Sequence, residues 1–370
     1  MTVCLMLFSF LYNTIMKRII LLAAAGLIGL AACTELDGPK DRADEGALII
    51  SVKSGAGITT KGADTAPVGK DADIHDIQLF LFSADGSLYR REELSGQEMT
   101  KTLDRVKTGS YDIVAVANAP ALTDVPTKTA LEQTTIDLGL NKLDEGFLMY
   151  GQTGSAVSVT SGATTAARAE ITVKRHVGRV RLTTVQNGIP AAYGALKVSC
   201  IFLENGLGSW NYGGSGDPTT YVNYAGRKQG RNTSANAADF IQAAADADYA
   251  ALTFKALGQS IANGASQTFD APFYTFPNKL TAAGDHFTGA TSEAVCARLV
   301  LKASYGENDA QSWYYPVTIE NLERNKSYDV SFLIRGPGSA DPNQKVESGN
   351  LEVVITVDPW GDGGEITGEF

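Results

Sequence analysis

The stretch GALIISVKSGAGITTKGA, residues 46–63, joins a strand pattern to a long polar linker. Leu48, Ile50 and Val52 alternate with their neighbours, which is the period of a half-buried β-strand. The next strand pattern, IHDIQLFLF, follows only after a glycine-rich segment with almost no apolar side chains. Hairpin connections usually take about two to five residues, so this linker is long for a compact domain. We therefore expect an exposed segment that a trypsin-like protease can cut at Lys61.

Strand patterns recur along the rest of the chain. Clear examples are YDIVAVANAP and FLMYGQT in the first half, and LKVSCIFL, VCARLVLKASY, SWYYPVTI, YDVSFLIR and LEVVITV in the second. Only two segments favour a helix, TKTALEQTTIDL and the alanine-rich SANAADFIQAAADADYAALTFKAL. Many short strands with turn signals and few helices are typical of β-sandwiches. The predicted fold class is therefore all-β, with two tandem sandwich domains and minor helical insertions.

A change of phase marks the predicted domain boundary. In AARAEITVKRHVGRVRLTTVQ the apolar residues up to Val177 share one parity, and those from Val180 share the other. A one-residue shift turns side chains to the opposite face of a sheet, so the chain either bulges at Gly178 or leaves one domain for the next. We place the boundary near Lys174–His176. The predicted domains are residues 46–174 and 175–370.

Residues 1–33 read as a targeting segment. From Met16, the expected natural start, two basic residues, a short apolar run and small residues lead to Cys33, as in a secretory signal. The run Leu-Ala-Ala-Cys resembles the bacterial lipobox, whose cysteine is lipidated. We expect an exported lipoprotein lipidated at Cys33, with residues 34–45 as a polar tether. A plain signal peptide with a chance cysteine is the alternative.

The composition argues against catalysis and nucleic-acid binding. The formal net charge is −10 without basic clusters, so nucleic acid is not an expected partner. The three histidines stand in no metal-binding spacing, and no nucleophile elbow, phosphate loop or zinc-type cysteine pair occurs. We expect no enzyme activity, no cofactor and no metal site. A carboxylate pair for glycoside hydrolysis stays open, because it needs geometry to be recognised.

One glycine-rich loop, GLGSWNYGGSGDPTTYVNY, carries aromatic residues that either bind a sugar or pack on their own domain. These residues are Trp210, Tyr212, Tyr221 and Tyr224. Packing on the domain is the favoured interpretation.

Two cysteines, Cys200 and Cys296, lie in apolar strand patterns. Buried free thiols are expected there. A disulfide is permitted in an exported protein, but spacing does not establish one.

The C-terminal end combines a strand pattern with a short polar tail. In LEVVITV four residues share one parity and are expected to face the core: Leu351, Val353, Ile355 and Val357. After Trp360 the tail GDGGEITGEF places Ile366 and Phe370 on one face, across Gly368. Taken alone, this tail is as consistent with a frayed terminus as with a strand.

The segment LERNKSYDVSFLIRGPGSADPNQKVESGNLEVVITVDPW resembles the corresponding region of the FimA-type major fimbrial subunits of Bacteroidales, the type V pilins. The matching elements are the Glu323-Arg324-Asn325 turn, Tyr328-Asp329, the Gly336-Pro337-Gly338 loop and Trp360. The run KRHVGRVRLT resembles the run at that family's inter-domain junction. The lipobox, first strand and linker also match in order and position.

The resemblance implies two transthyretin-like β-sandwich domains in a lipoprotein carried to the outer membrane. An Arg- or Lys-specific, trypsin-like protease would cut the linker and remove the first strand with Leu48, Ile50 and Val52. That family usually presents Arg at the cut, whereas this linker offers Lys61 followed by Gly62.

The resemblance further implies strand exchange between subunits. The opened groove would accept a C-terminal donor strand from another subunit, giving a surface fimbria with a role in adhesion. The implied donor residues are the apolar set of Leu351–Val357 together with Ile366 and Phe370. The implied partners are copies of the chain, related fimbrial subunits, the processing protease, and host or bacterial surface receptors.

Two other functions remain open. A surface lipoprotein could be a carbohydrate-binding module, in which case the Trp210 loop would bind sugar and no processing would occur. A fimbrial anchor would keep its lipid and its first strand, and a tip subunit would carry an added ligand-binding domain.

Overall fold

The computed structural model describes residues 44–55, 73–95, 99–215, 221–223, 227–229, 251–279, 297–306, 311–342 and 344–360. The chain divides into two compact units, Met1–Asp44 and Glu45–Phe370, and Asp44 is the one described residue of the first. The second unit consists mainly of strands, which confirms the all-β prediction.

The first half of this unit contains nine strands: β1 Glu45–Ser54, β2 Asp76–Ser83, β3 Leu88–Ser95, β4 Thr100–Lys107, β5 Gly109–Ala117, β6 Thr135–Asp137, β7 Met149–Gln152, β8 Val157–Val159 and β9 Ala167–Arg175. The second half contains fourteen: β10 Gly178–Asn187, β11 Leu196–Glu204, β12 Gly206–Leu207, β13 Ser209–Asn211, β14 Tyr221–Asn223, β15 Arg227–Gln229, β16 Phe254–Ile261, β17 Ser266–Thr275, β18 Asn278–Lys279, β19 Ala297–Tyr305, β20 Trp313–Ile319, β21 Asn321–Leu322, β22 Lys326–Ile334 and β23 Leu351–Pro359.

Helical structure is sparse among the described residues. Helix α1, Lys128–Gln133, lies in the predicted segment TKTALEQTTIDL and begins where the Thr127 side chain accepts a hydrogen bond from the Ala130 amide. Two 3₁₀ turns cover Leu138–Leu140 and Ala191–Tyr193. Most of the alanine-rich segment predicted as helical lies outside the described residues. No helix in the described ranges is long and apolar enough to cross a membrane.

The first half forms an eight-stranded sheet in the order β3-β2-β5-β7-β9-β1-β4, with β8 paired to β5. Its two end strands, β3 and β4, contact each other through side chains. The Arg90 guanidinium on β3 donates to the Asp104 carbonyl on β4 at 3.3 Å. The Lys107 amide on β4 donates to the Tyr89 hydroxyl on β3 at 3.0 Å. One buried cluster joins Leu48 of β1 to residues of β2, β4, β5 and β9. The sheet therefore curls around its own core.

The second half is built from two four-stranded sheets in the orders β17-β10-β22-β23 and β16-β11-β19-β20. A single buried cluster contains residues from both sheets, such as Val330 on β22 and Leu301 on β19. This arrangement is the predicted sandwich. Three smaller sheets, β12-β14-β15, β13-β6 and β18-β21, complete the fold, and the β13-β6 pair joins the two halves.

The phase change predicted near Lys174–His176 coincides with a change of sheet. β9 ends at Arg175 and pairs with β1 and β7, whereas β10 begins at Gly178 and pairs with β17 and β22. The alternative of a bulge at Gly178 within one continuous strand is therefore wrong. Gly178 lies so close to the Glu323 carbonyl that a Cβ atom there would meet its oxygen at 2.5 Å.

Candidate functional site

The first strand, β1, is an interior strand of its sheet. It pairs in parallel with β9, from Leu48 opposite Ala167 to Ser54 opposite Val173, and antiparallel with β4 on its other side. Both of its backbone edges are thus hydrogen-bonded. Its removal would leave unpaired donors and acceptors on two neighbouring strands at once.

The three apolar side chains predicted to face the core are buried. Leu48 and Ile50 have no exposed surface and Val52 is 2 % exposed. They belong to one cluster with Leu103 of β4 and Ile171 of β9. Burial of each such side chain stabilises the fold by about 1.5–3 kcal/mol, so β1 is a substantial part of this core. Their role as a displaced strand stays a prediction.

The outer face of β1 contributes little. Lys53 Nζ lies 2.7 Å from Glu170 Oε2, and the hydroxyls of Ser51 and Thr100 are 3.4 Å apart, but these groups are exposed. Exposed ion pairs are worth about 0–1 kcal/mol. The strand is held by its two ladders and by the buried side chains.

Strand β4 depends on β1. Among the described strands it pairs with β1 alone. Its remaining polar links are the contacts with β3 described above, the ion pair of Lys101 Nζ with Glu92 Oε2 at 3.9 Å, and a hydrogen bond of 2.8 Å that the Tyr111 hydroxyl donates to the Lys107 carbonyl. Its side chains Leu103 and Val106 belong to the buried cluster. β4 is therefore the strand that loses its described backbone ladder when β1 leaves.

Both described ends of the long linker are fixed to the sheet. At its start the Gly55 amide donates to the Val173 carbonyl at 2.7 Å. At its far end the Asn118 side chain donates to the Asp73 carbonyl at 2.7 Å and accepts from the His75 amide at 2.8 Å. The predicted cut between Lys61 and Gly62, and the predicted lipidation at Cys33, lie outside the described residues.

The last strand, β23, differs from its prediction. Leu351 and Val353 pack against the sandwich core, whereas Ile355 is 37 % and Val357 46 % exposed. The prediction that all four face the core is therefore wrong for these two. The physical reason is that β23 is an edge strand, with β22 as its one ladder partner in the described part of the chain. Val354 on the other face is 57 % exposed.

The chain end beyond β23 is anchored at Trp360, whose side chain is fully buried. The guanidinium carbons of Arg175 and Arg179 lie 4.3 and 5.1 Å from the centroid of its ring. Phe147 meets the ring edge-on at 5.8 Å, and Tyr274 stacks on it at 5.4 Å. Desolvated cation–π contacts of this kind are worth up to about 2 kcal/mol. The tail residues Ile366 and Phe370 lie outside the described residues.

The turn residue Asn325 ties this anchor to both halves of the fold. Its backbone carbonyl accepts from the Trp360 amide at 3.1 Å, and its amide donates to the Val177 carbonyl at 2.8 Å. Its side-chain oxygen accepts from Arg175 Nη1 at 3.2 Å. Asn325 has a φ of +57°, a left-handed conformation that Asn tolerates better than most residues. The turn and the basic run picked out in the sequence thus meet around one tryptophan.

His176, between the two halves, is fully buried between Tyr150 and Tyr212, with ring centroids 5.7 and 5.4 Å away. Burial, and to a lesser extent the nearby Arg324, hold the pKa of His176 well below its usual value. The imidazole is therefore neutral at neutral pH and acts as a packing residue.

The aromatic loop packs on its own domain where it is described. Tyr212 is 1 % exposed, and Trp210 stacks on Phe276 at 6.2 Å. The side chains of Tyr221 and Tyr224 lie outside the described part of the chain. Trp210 and Tyr212 therefore do not form an exposed sugar platform.

Cys200 is a buried free thiol, as expected, and burial raises its pKa. Its predicted counterpart, Cys296, lies outside the described residues. Within the described ranges no group of three or more His, Cys, Asp or Glu side chains is arranged to hold a metal ion.

Glu204, at the end of β11, is a buried carboxyl that sequence reasoning missed. It has no exposed surface, and its Oε2 lies 3.9 Å from Nη1 of the buried Arg298. That nitrogen donates a hydrogen bond to the Pro342 carbonyl at 3.3 Å. Burial raises the pKa of Glu204 to about 8 despite the opposing charge of Arg298.

Comparison with known proteins gives a consistent result. The sequence model of a family described as fimbrillin-A associated anchor proteins Mfa1 and Mfa2 matches residues 69–362, more than half of the chain. No curated protein matches the sequence.

Solved structures share the fold. A cell adhesion protein candidate from Bacteroides eggerthii is 20% identical over 86% of this chain and 96% of its own, with a TM-score of 0.59. A fimbrilin from Porphyromonas gingivalis is 15% identical over 87% and 99% of the two chains, with a TM-score of 0.58. A second adhesion candidate, from Parabacteroides distasonis, is 18% identical over 87% and 99%, with a TM-score of 0.55.

Proposed function

Since the chain belongs to a family of fimbrial proteins, the fimbrillin-A associated anchor proteins Mfa1 and Mfa2, we propose that it is a structural subunit of a cell-surface fimbria in which β1 is a removable strand. A trypsin-like protease cuts after Lys61, β1 leaves, and a strand of another subunit takes its place. The observation that carries the proposal is the interior position of β1, with Leu48, Ile50 and Val52 buried.

The vacated site would recognise a strand on physical grounds alone. It offers two rows of backbone donors and acceptors, on β9 and β4, and an apolar floor that includes Leu103 and Ile171. A strand with apolar residues at every second position satisfies both features. While β1 remains in place, the same features are satisfied internally, so the uncut subunit has no site to offer.

The C-terminal strand β23 is the proposed donor. Its residues 353–358, VVITVD, follow the same pattern as residues 48–53, LIISVK, with Ile355 and Val357 at the places of Ile50 and Val52. In its own sheet β23 has one described ladder and leaves Ile355 and Val357 partly exposed. In the groove it would have two ladders and would bury the side chains of one parity. This difference favours exchange.

The tail after Trp360 is a weaker substitute for β1. If the tail were a strand, Ile366, Gly368 and Phe370 would share one parity, and a glycine would take the place of the central side chain, Ile50. Leaving that buried position empty would cost several kcal/mol, about as much as truncating Ile to Ala or more. The tail therefore extends the contact that β23 makes.

Export as a lipoprotein to the outer membrane completes the proposal, with lipid carried by Cys33 in the precursor. Copies of the chain, related fimbrial subunits and the processing protease are the proposed partners, and adhesion to surface receptors is the proposed use of the fimbria. A catalytic role is not proposed.

The deciding experiment is the N-terminus of the protein displayed on the cell surface. A chain beginning at Gly62 indicates a processed, polymerising subunit. A lipidated Cys33 with β1 retained indicates an anchor instead, the second candidate, which the description of the family favours. Lys61→Gln should abolish processing while Lys70→Gln leaves it unchanged; normal processing of Lys61→Gln contradicts the assigned cut. Fatty-acid label should mark the wild type and not Cys33→Ala.

A further inference from the structure

We propose that β4 closes onto β9 when β1 leaves, so that the emptied subunit keeps its own groove shut until a donor strand displaces β4. This inference rests on the proposed release of β1 and adds a closed state to it.

The strand directions permit the closure. β1 runs parallel to β9 and antiparallel to β4, so β4 and β9 are antiparallel to each other. Antiparallel pairing is the slightly more stable arrangement per residue. Neighbouring strands lie about 4.7–4.9 Å apart, so β4 must move by about one strand spacing to pair with β9 directly.

Loss of β1 supplies the driving force. It leaves β4 without a ladder partner among the described strands and uncovers the facing edge of β9. It also uncovers Leu103 on β4 and Ile171 on β9. Direct pairing satisfies both backbone edges at once and buries this apolar surface again.

The existing register gives compatible neighbours. Leu48 lies between Leu103 and Ala167, so closure keeping this register sets a leucine opposite a small alanine. On the outer face, closure sets Thr102 opposite Arg168.

Two further pairs follow from the same register: Lys101 opposite Ala169, and Thr100 opposite Glu170. None of the four pairs brings like charges together. The polar contacts between β4 and β3 are Arg90 with Asp104, Tyr89 with Lys107, and the half-buried ion pair of Lys101 with Glu92 at 3.9 Å. Single contacts of this kind contribute much less than a strand ladder with its buried side chains.

A closed state has a consequence for assembly. A groove left open would present two unpaired edges and an apolar floor to any exposed strand, which is a template for aggregation. In the closed subunit a donor must compete with β4 for the edge of β9. Specific donors that fill the apolar positions would succeed, and unrelated strands would not.

Cysteine crosslinking between β4 and β9 tests the closure. Thr102 and Arg168 flank Ile49 on the exposed outer face. Their Cα atoms are therefore about 9–10 Å apart in the intact protein, beyond the limit of about 7 Å for a disulfide. After closure the separation becomes about 4.5–5.5 Å.

The experiment uses the full chain with its four native cysteines replaced by alanine and with Thr102→Cys and Arg168→Cys. The protein is cut with trypsin, and loss of residues 45–54 is verified by mass spectrometry. Mild oxidation should then give at least ten times more intramolecular disulfide than in the uncut protein. An excess of a synthetic peptide of residues 45–54 should suppress the disulfide. The pair Ile49→Cys and Thr102→Cys, adjacent in the uncut protein, should crosslink before cleavage and serves as the control for oxidation.

The outcomes separate the closure from the proposed function. A strand-free, folded protein that does not crosslink overturns the closure while strand release stands. Equal crosslinking before and after release also overturns it, because β4 and β9 would then meet with β1 in place. Retention of the cut strand, seen by mass, contradicts the proposed function itself and leaves no closed state to form.

Discussion

The guanidinium carbon of Arg175 lies 4.3 Å from the centroid of the Trp360 ring, across 185 positions of sequence. Arg175 is the last residue of β9, the strand that flanks β1, and Trp360 follows directly on β23. The contact therefore connects the proposed acceptor groove with the proposed donor strand of the same subunit. This contact fixes the end of β23 in its own subunit. It must therefore break before the full length of β23 can insert into another subunit.

Trp360→Ala is expected to lower the free energy of unfolding by about 3–5 kcal/mol, the usual cost of truncating a buried aromatic residue. Trp360→Phe should cost clearly less, because it keeps a ring between the two guanidinium groups. Urea denaturation of the uncut protein measures both changes. A loss of less than about 1 kcal/mol in the alanine variant would show that the anchor does not hold the chain end.

Ile355→Asp is expected to separate folding from assembly. Ile355 is 37 % exposed in the free subunit, so the substitution should lower the unfolding free energy by about 1–2 kcal/mol, which leaves the subunit folded. In a donor strand the same residue would occupy the buried place of Ile50, where an unpaired carboxylate is not tolerated. The variant should therefore fold and be processed normally but form no heat-stable ladders on denaturing gels. Thr356→Asp, on the opposite parity, is the matched control, and loss of ladders in both variants would contradict the proposed register.

Deletion of residues 361–370 is expected to leave a folded, processed subunit whose ladders are absent or dissociate at lower temperature. In the proposed exchange the tail extends the donor contact beyond Trp360, so the deletion would remove the apolar residues Ile366 and Phe370 from that contact. Heating a gel series in steps measures the dissociation temperature. Ladders of normal length and heat resistance from the truncated chain would show that the tail takes no part.

Alternation along a strand is a local property, and it predicted the burial of Leu48, Ile50 and Val52 correctly. The same alternation predicted four core-facing residues in β23, of which Ile355 and Val357 are exposed. The difference arises because the order of strands in a sheet is set by pairing with distant residues. The alternation of a strand's residues therefore does not predict whether the strand lies inside a sheet, as β1 does, or at its edge.

The burial of two arginines is a second feature that the local sequence pattern does not predict. Arg179 alternates with Val180 and Leu182, as a side chain on a solvated face would, yet it is 0 % exposed. Arg175 has the same parity as the core residues Ile171 and Val173 and is 1 % exposed, although a charged side chain is rarely buried in a core. Their burial depends on the Trp360 ring and the Asn325 turn, both of which come from the far end of the chain. The resemblance picked out these segments separately, and only the fold shows that they form one anchor.

Glu204→Gln is expected to make the protein less sensitive to alkaline pH. Burial raises the pKa of Glu204 to about 8 in the folded state, whereas an unperturbed glutamate has a pKa of about 4.3. Between these values the folded protein binds a proton that the unfolded chain has lost, so this group lowers the stability as the pH rises through that window. The loss is complete above the folded-state pKa, and each pH unit between the two pKa values lowers the stability by about 1.4 kcal/mol.

Glutamine keeps the shape of the side chain and removes its titration. The variant should therefore gain stability relative to the wild type from pH 5 to pH 9, with most of the gain present by pH 8. Thermal unfolding at a series of pH values measures this difference. Glu320→Gln, the same substitution at an exposed position, is the matched control. A difference between Glu204→Gln and wild type that stays constant across the series would mean that Glu204 is already ionised in the folded protein, held so by Arg298 at 3.9 Å.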